Sequence, residues 1–363
     1  MSIKIIHAAD FHIDSPFEAL PAEKAALRRR EQRELIEKIG SLAKKEAADL
    51  ILLSGDLLDS DVSYYETGET LEAAFSEIDA KIFISPGNHD YFCRKSPYFY
   101  TKFPENVYIF KSSSISCFDI PELNCRVWGA GFTTPLSEPL LSGFSCDNTN
   151  MINLMVMHGD LIGDAYNHIS EQDIEGSGLD YIALGHIHTF SGILKAGKTA
   201  YAYPGCPEGR GFDETGSKGV ITGTVGKNGC DLRFVPLGGR EYNTLTIDMT
   251  GRDDPCAKLG ESIPENAHRD IYRVIFTGEY CENIDLSLIS ESYGDRFFHA
   301  DFRDHTVRPG DIWQGVEENS LRGVFLGLMK KAFENASCEE KQRIENAVRY
   351  ALAAIDRREA WRP

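Results

Sequence analysis

The chain has 363 residues, of which 42% are hydrophobic, and a formal net charge of −18 at pH 7. This length suffices for one large domain and a smaller one, while the longest apolar runs, such as LILL and LMVM, are far too short to cross a bilayer. The acidic balance gives no compositional sign of nucleic-acid binding, although a bound metal pair would reverse the charge locally. Nine cysteines without a CxxC pair, and an opening stretch (MSIKIIHAADFH) without a signal-peptide core, predict a cytoplasmic protein with reduced thiols.

The first 240 residues alternate short apolar runs with helical patterns. Leu35, Ile39 and Leu42 fall at helical spacing, and the stretch TLEAAFSEI indicates a second helix. The apolar runs that read as buried strands are KIIHAAD, ADLILLSGD, AKIFISPGN, INLMVMHGD and DYIALGHIH. Short apolar runs separated by helices predict an α/β sheet.

Two other stretches of this region predict antiparallel pairing. Residues 107–131 contain VYIFKSSSISCF and CRVWGAGF, which we interpret as antiparallel strands. The segment KGVITGTVGKNGCDLRFVPL predicts a hairpin that turns at Asn228-Gly229. We therefore expect two sheets packed face to face, with helices outside, over residues 1–240.

The pattern changes after residue 240. YNTLTIDMT, a short helix around Pro255–Leu259, and DIYRVIFTGEY predict a small α/β capping domain over residues 241–310. Residues 311–363 are predicted to be helical. Their first helix carries Leu321, Val324, Phe325, Leu328, Ala332 and Phe333, and their second carries Ile344, Val348, Leu352 and Ile355 after a capping box formed by Ser337 and Glu340. This helix pair either packs on its own chain or docks a partner, and the basic clusters RRREQR and DRREAWR read as solvated helix faces.

Polar side chains follow the ends of five predicted strands. They are Asp10 and His12; Asp56 and Asp59; Asn88, His89 and Asp90; His158; and His186 and His188. Ligand sites gather at the carboxyl ends of strands in α/β sheets, and glycines at 55, 87 and 185 are expected to let the backbone turn there. Each short motif alone is more simply a packed histidine or a turn residue, but five together predict one site.

The donor types favour a particular metal chemistry. Oxygen and imidazole donors without thiolates suit manganese, iron or zinc in a catalytic site rather than a structural cysteine–zinc site. Seven candidate ligands, with one carboxylate shared, suffice for two metals and leave positions for water. His89 is not needed as a ligand and is placed to protonate a leaving oxygen.

The motifs Asp10-x-His12, Gly55-Asp56, Gly87-Asn88-His89-Asp90, His158 and Gly185-His186-x-His188 resemble the signature motifs of calcineurin-like metallophosphoesterases. The resemblance implies a four-layer α/β/β/α sandwich with two divalent metals, most simply Mn²⁺. It implies one metal held by Asp10, His12, Asp56 and His188 and another by Asp56, Asn88, His158 and His186, with Asp56 bridging. It also implies that His89 is the catalytic histidine.

Other stretches are similar to bacterial DNA-repair nucleases of the SbcD group and above all to their YhaO-type branch. These are HAADFHIDSPFEAL, GNHD and the loop YPGCPEGRGFDETGSKG. That similarity implies a DNA substrate and an SMC-like coiled-coil ATPase docked on the C-terminal helices; we expect no membrane partner, and a homodimer stays open. Many relatives carry a histidine where this chain has Asp59, which could instead orient a ligand histidine.

Four further residues complete the predicted site. Asp59 and Asp90 are grouped with His89 in the catalytic set. Arg210, in a glycine-rich loop, is either a phosphate clamp or an exposed loop residue, and Tyr203 either stacks on a base or fills the sheet edge. The leading hypothesis is a two-metal DNA exonuclease or endonuclease. The alternatives are a phosphoesterase acting on a small molecule or a phosphoprotein, and a subunit that mainly regulates an ATPase.

Overall fold

The computed structural model describes residues 2–60, 65–146, 150–252, 254–308 and 312–355. Two parts of the predicted docking segment lie outside these ranges: residue 311, and residues 356–363, which include the whole DRREAWR cluster. The same applies to the side chains of residues 65, 338, 339, 342 and 353.

Strands and helices alternate through the first half of the chain. The strands are β1 (Ser2–Ala8), β2 (Leu50–Leu53), β3 (Lys81–Ile84), β4 (Val107–Ile109), β5 (Ser116–Ile120), β6 (Cys125–Gly129), β7 (Ile152–His158), β8 (Tyr181–Gly185), β9 (Leu194–Ala196), β10 (Thr199–Ala202), β11 (Gly219–Gly226), β12 (Gly229–Pro236), β13 (Tyr242–Asp248), β14 (Ile271–Thr277) and β15 (His299–Asp304). The helices are α1 (Ala22–Arg33), α2 (Leu35–Glu46), α3 (Tyr65–Ser76), α4 (Pro97–Tyr100), α5 (Glu171–Gly176), α6 (Pro255–Ser262), α7 (Leu286–Tyr293), α8 (Leu321–Glu334) and α9 (Cys338–Ile355).

Two six-stranded sheets form the first part of the fold. The first sheet has the order β12-β11-β1-β2-β3-β4, in which β1 to β4 are parallel and β11 pairs antiparallel with both β1 and β12. The second has the order β5-β6-β7-β8-β10-β9, with parallel pairs from β6 to β10 and antiparallel pairs at both edges. The carboxyl ends of β1, β2 and β3 therefore lie at one edge of the first sheet, and those of β7 and β8 at one edge of the second.

Successive side chains of a strand point to opposite faces of its sheet, and this alternation produces the layers of the sandwich. Ile5 and Leu52 belong to a core that also contains Leu154 and Ala183 of the second sheet, so this core lies between the two sheets. Ile6, the next residue along β1, packs with α2 and α3 on the other face. A third core joins the outer face of the second sheet to α5. The α/β sandwich predicted from the sequence is therefore confirmed, and each sheet is buried on both faces, as near-continuous apolar strands require.

Buried polar side chains connect the two sheets beside the strand ends. His7 of β1 donates from Nε2 to the Leu184 carbonyl at 3.1 Å and accepts at Nδ1 from the Tyr181 hydroxyl at 2.8 Å. Ser54 Oγ donates to the Ala183 carbonyl at 2.9 Å. Unlike apolar contacts, these directional bonds specify which residues of the two sheets face each other.

Two details of the predicted strands differ from the structure. β4 pairs parallel to β3 in the first sheet, so VYIFKSSSISCF does not form one antiparallel pair; only β5 and β6 do. The hairpin of β11 and β12 turns one residue earlier than predicted, because Gly226 pairs with Gly229 and leaves Lys227 and Asn228 as the loop. Gly229 has φ 131°, which favours glycine at the first residue of the returning strand.

The chain folds into two compact units. One comprises Met1–Thr244, Asn266–Arg273 and Phe297–His299, and the other comprises Leu245–Glu265, Val274–Arg296 and Ala300–Pro363. The division predicted at residues 240 and 310 stays a prediction. In the second unit α8 and α9 pack against each other, and Ser337 and Glu340 form the expected capping box, with Ser337 Oγ 2.7 Å from Glu340 Oε2.

β13, β14 and β15 form a three-stranded sheet. α8 exposes Leu321, Val324 and Leu328 by 80%, 60% and 65%. Among the described residues, no helix combines the length and the apolar character that a membrane span requires.

Candidate metal centre

Four of the predicted ligands follow their strands in a strained backbone conformation. Asp10 and His12 follow β1, Asp56 follows β2, and His186 follows β8 directly. Their φ angles are 57°, 48°, 49° and 113°, in the left-handed region that residues other than glycine rarely adopt. Such strain costs of the order of 1–3 kcal/mol per residue and is concentrated at functional sites.

The three glycines predicted to turn the chain act in two different ways. Gly55 has φ 91°, so it is the residue that permits a left-handed turn. Gly87 and Gly185 have no positive φ. A Cβ at Gly87 would lie 2.2 Å from Asp56 Oδ1, and one at Gly185 would lie 1.9 Å from the Ser54 carbonyl oxygen. The prediction that the chain turns sharply at Gly87 and Gly185 is therefore wrong. These two positions need glycine because another part of the chain lies too close to leave room for a Cβ atom.

One group of donors consists of Asp10, His12 and His188, each with a ligand atom within 4.8 Å of the others. His12 and Asp10 are fully buried, whereas His188 is partly exposed. The Nε2 atoms of His12 and His188 lie 3.3 Å apart. Three donors of this kind at such short mutual distances suit a divalent cation.

A second group is centred on Asp56. Asp10, Asp56 and His158 have ligand atoms within 4.8 Å of one another, and Asp56 Oδ2 lies 3.4 Å from His158 Nε2 and 3.8 Å from His12 Nε2. Asn88 Oδ1 lies 2.9 Å from His158 Nε2 and 3.2 Å from His186 Nδ1. Asp56 is therefore the carboxylate between the two groups, and Asp10 contributes to both.

Hydrogen bonds to the outer nitrogens fix which imidazole nitrogen faces the centre. His12 Nδ1 donates to Asp59 Oδ1 at 3.1 Å, His158 Nδ1 to the Ser54 carbonyl at 2.9 Å, and His188 Nδ1 to Glu214 Oε1 at 2.7 Å. Each Nε2 then carries a lone pair. The two lone pairs of His12 and His188 face each other at 3.3 Å, an arrangement that a cation between them satisfies.

Burial sets the protonation of the donors. It lowers the pKa of His12 and of His186 to about 4, so both imidazoles are neutral at pH 7, the form that binds metals. Burial and the charge of Asp56 raise the pKa of Asp10 well above its usual value. Two buried carboxylates in this proximity repel each other, and cations relieve that repulsion. The donor set therefore fits divalent metal ions.

His89 is exposed at this centre. Its ring lies 4.7 Å from that of His12, and its Nδ1 donates to the Asp59 carbonyl at 3.1 Å. Its backbone N–H donates to Asp56 Oδ1 at 2.9 Å, which fixes the loop that carries it. The bond at Nδ1 leaves Nε2 for another partner.

Asp59 does not have the properties of a proton donor. Burial would raise the pKa of Asp59, but the hydrogen bond from His12 and the charge of Arg210 outweigh this and lower it. Its Oδ1 accepts from His12 Nδ1 and lies 3.2 Å from Arg210 Nη1. These contacts favour the alternative raised from the sequence, in which Asp59 orients a ligand histidine.

Asp90 also differs from the predicted catalytic role. Its carboxylate is fully buried and accepts hydrogen bonds from the backbone N–H groups of Asp56, Leu57, Leu58 and Gly87, and from the Tyr98 hydroxyl at 2.6 Å. With these acceptor positions filled, it has no access to substrate. Asp90 is therefore a positioning residue that holds the Asp56 and Asn88 loops together.

The loop after β10 carries two of the predicted substrate residues. Tyr203 is 1% exposed and its hydroxyl donates to the Gly159 carbonyl at 2.8 Å, so it packs in the core and does not stack on a base. Arg210 is partly buried at the centre, but its guanidinium already contacts Asp59 and Glu214. A phosphate would have to share this guanidinium with two carboxylates.

Glu214 and Asp160 are site residues that the sequence analysis missed. Glu214 contacts His188, and its pKa is lowered because the hydrogen bonds of His188 and Arg210 outweigh its burial. Asp160 Oδ2 lies 3.9 Å from His186 Nε2. Neither residue ends a strand with a recognisable motif, although Asp160 stands two residues after His158.

The chain resembles a protein-family model and, among other known proteins, the two described next. The family model for calcineurin-like phosphoesterases matches residues 3–190, about half of the chain. The uncharacterized metallophosphoesterase YhaO of Bacillus subtilis (strain 168) is 31% identical over 263 residues, which are 68% of this chain and 64% of that protein, less than two thirds of its length. A crystal structure of a dimetal phosphatase from Danio rerio has a TM-score of 0.41 and 15% identity, covering 63% of this chain and 98% of that one.

Proposed function

Because the chain belongs to the calcineurin-like phosphoesterases, a family of hydrolases, we propose that it is a two-metal phosphodiesterase whose substrate is DNA. The convergence of seven ligand-type side chains at the ends of five strands carries this proposal. These side chains are Asp10, His12, Asp56, Asn88, His158, His186 and His188.

Each ion has a proposed set of ligands. Asp10, His12, Asp56 and His188 would hold one ion, and Asp56, Asn88, His158 and His186 the other. Mixed nitrogen and oxygen donors suit Mn²⁺, with iron or zinc as alternatives. When bound, the ions would supply positive charge for the phosphate and lower the pKa of water.

His89 performs the proton transfer in this proposal. Its Nδ1–H is bonded to the Asp59 carbonyl, so in the doubly protonated ring Nε2–H is the group that can donate to the departing sugar oxygen. The same bond, together with the contact of the His89 backbone with Asp56, orients the ring toward the phosphate. Asp59 and Glu214 hold His12 and His188 in the tautomer that presents Nε2.

The assignment to DNA repair rests on sequence similarity. The stretches HAADFHIDSPFEAL and GNHD resemble the SbcD group of nucleases. By the same similarity, we propose that an SMC-like ATPase docks on α8, whose exposed Leu321, Val324 and Leu328 lie on one face. Deleting residues 311–363 would abolish binding of such a partner, and unchanged binding would contradict the docking assignment.

The net charge of −18 favours a second candidate, a phosphoesterase for a small molecule or a phosphoprotein. The two candidates differ in what they hydrolyse with Mn²⁺ present. We would compare single-stranded DNA, duplex DNA, cyclic nucleotides, a phosphopeptide and an aryl phosphodiester. The proposal expects turnover of DNA and of the aryl diester; turnover of only the small substrates or the phosphopeptide would reject the nuclease assignment.

A further inference from the structure

The segment that follows His89 differs in charge from the rest of this acidic chain. Residues 91–111 contain four basic residues and one acidic residue, within a chain of net charge −18. The segment includes Arg94, Lys95 and Lys111, all exposed. No ion pair among the described residues engages any of its basic side chains. Cations without carboxylate partners are available to bind phosphates.

The basic cluster near the amino end is a useful contrast. Arg28 contacts Glu208, Arg30 contacts Glu34, and Arg33 contacts Asp14. Three of the four charges of that cluster are therefore neutralised within the chain, and the fourth arginine, Arg29, donates to the Pro16 carbonyl. The segment after His89 differs in combining several unpaired cations with a position beside the metal centre.

Aromatic side chains accompany these cations. Phe99 is 55% exposed, and its ring lies 6.2 Å from that of Phe92. Lys111 Nζ lies 5.8 Å from the Phe92 ring. We call Phe92, Arg94, Lys95, Phe99 and Lys111 the aromatic–basic surface. Exposed rings beside cations are the combination that binds single-stranded nucleic acid, because unpaired bases stack on rings while phosphates contact the cations.

This surface is fixed relative to the catalytic groups. Phe92 N–H donates to the Phe132 carbonyl at 2.8 Å, and the buried Tyr98, next to Phe99, donates to Asp90 at 2.6 Å. Asp90 in turn binds the backbone of Asp56. Phe92 is three residues from His89, so the backbone positions of the two residues are at most about 11 Å apart. A strand cleaved beside His89 would therefore pass close to the surface.

We propose that the aromatic–basic surface binds the single-stranded DNA that flanks the scissile phosphate. This inference rests on the proposed nuclease function and names its substrate form. A duplex carries a denser negative charge than a single strand, so this acidic chain repels it more strongly, and three cations offset little of that repulsion. The bases of a duplex are also stacked on one another and cannot stack on a protein ring. Stacking on Phe99 supplies affinity that duplex DNA cannot gain.

The test uses the full chain and a labelled single-stranded oligonucleotide, with fluorescence anisotropy measured in chelator to prevent cleavage. Phe99→Ala is expected to raise Kd by about 5- to 150-fold, the range for loss of one stacked base. Replacing Arg94, Lys95 and Lys111 with Gln should reduce the slope of log K against log salt by about 2. The matched control, Lys44→Gln with Lys45→Gln on α2, removes two exposed charges elsewhere and should leave Kd nearly unchanged.

Hydrolysis of the aryl phosphodiester separates failure of this inference from failure of the proposed function. That substrate has no base and does not reach the surface, so the Phe99→Ala and Gln variants should hydrolyse it at the wild-type rate. Normal hydrolysis with unchanged affinity for single-stranded DNA would overturn this inference alone. Wild-type binding that is equally tight to duplex and single strand would also overturn it, whereas no metal-dependent hydrolysis of either DNA or the diester would reject the proposed function.

Discussion

His188 Nδ1 lies 2.7 Å from Glu214 Oε1, so a carboxylate from the loop after β10 sets the orientation of an imidazole that follows β8. Arg210 Nη2 lies 2.6 Å from the same oxygen and balances its charge. The arrangement places the lone pair of His188 Nε2 opposite that of His12. The loop therefore contributes to the metal centre although it supplies no ligand of its own.

Glu214→Gln should weaken metal binding by about 10- to 100-fold, because the amide keeps the shape but loses the charge that holds His188. Calorimetric titration of the metal-free chain with Mn²⁺ measures this directly. Asp213→Asn is the matched control, since Asp213 is exposed and adjacent in sequence. Equal affinities of both variants and wild type would show that Glu214 does not support the centre.

His89→Ala should reduce DNA cleavage by about 10²- to 10⁴-fold, the usual contribution of a general acid. The loss should be much smaller for a p-nitrophenyl phosphodiester, whose leaving group needs no protonation. Rates on both substrates at saturating Mn²⁺ give the comparison. Equal losses on the two substrates would assign His89 a role in binding the phosphate or the metal instead.

Asp56→Asn should nearly abolish hydrolysis of both substrates, because Asp56 lies between the two donor groups. It should also reduce the metal bound per chain, measured by elemental analysis, with an unchanged circular dichroism spectrum. Asp59→Asn, by contrast, should lower activity moderately and keep the alkaline limb of the pH–rate profile, where a proton donor loses its proton. Loss of that limb in Asp59→Asn would restore Asp59 as the proton donor.

The clustering of the candidate ligands could be predicted because each lies at or within a few residues of the end of an apolar strand, where local sequence carries the signal. Glu214 could not be, since its partner His188 is 26 residues away and the loop between them has no periodicity. Asp90 and Tyr203 look functional in sequence, but their roles depend on distant partners, the Leu57 backbone N–H and the Gly159 carbonyl. The predicted antiparallel pairing of β4 was wrong for the same reason, since tertiary structure decides which strand β4 pairs with.

A buried ion pair makes the loop that carries Arg210 and Glu214 sensitive to substitution. Arg28, fully buried on α1, donates to Glu208 and to the Gly209 carbonyl. Glu208→Gln should lower the free energy of unfolding by about 1.5–3 kcal/mol, since the buried guanidinium then keeps only the partly exposed Glu31 as a counter-charge. Urea denaturation measures the change. Glu34→Gln, which breaks the exposed Arg30 pair, should cost less than about 1 kcal/mol.

His7 should make stability depend on pH. Burial lowers the pKa of His7 from 6.5 to about 3, and its Nδ1 accepts a hydrogen bond that the charged ring could not accept. Below pH 6.5 the unfolded chain therefore binds a proton that the folded chain refuses, and stability falls by about 1.4 kcal/mol per pH unit until about pH 3. His7→Gln should be less stable at pH 7 but lose about 2–3 kcal/mol less between pH 6.5 and 4.5. Denaturant midpoints of both proteins in chelator measure this, and parallel pH profiles would show that another group, such as His12 or His186, accounts for the whole dependence.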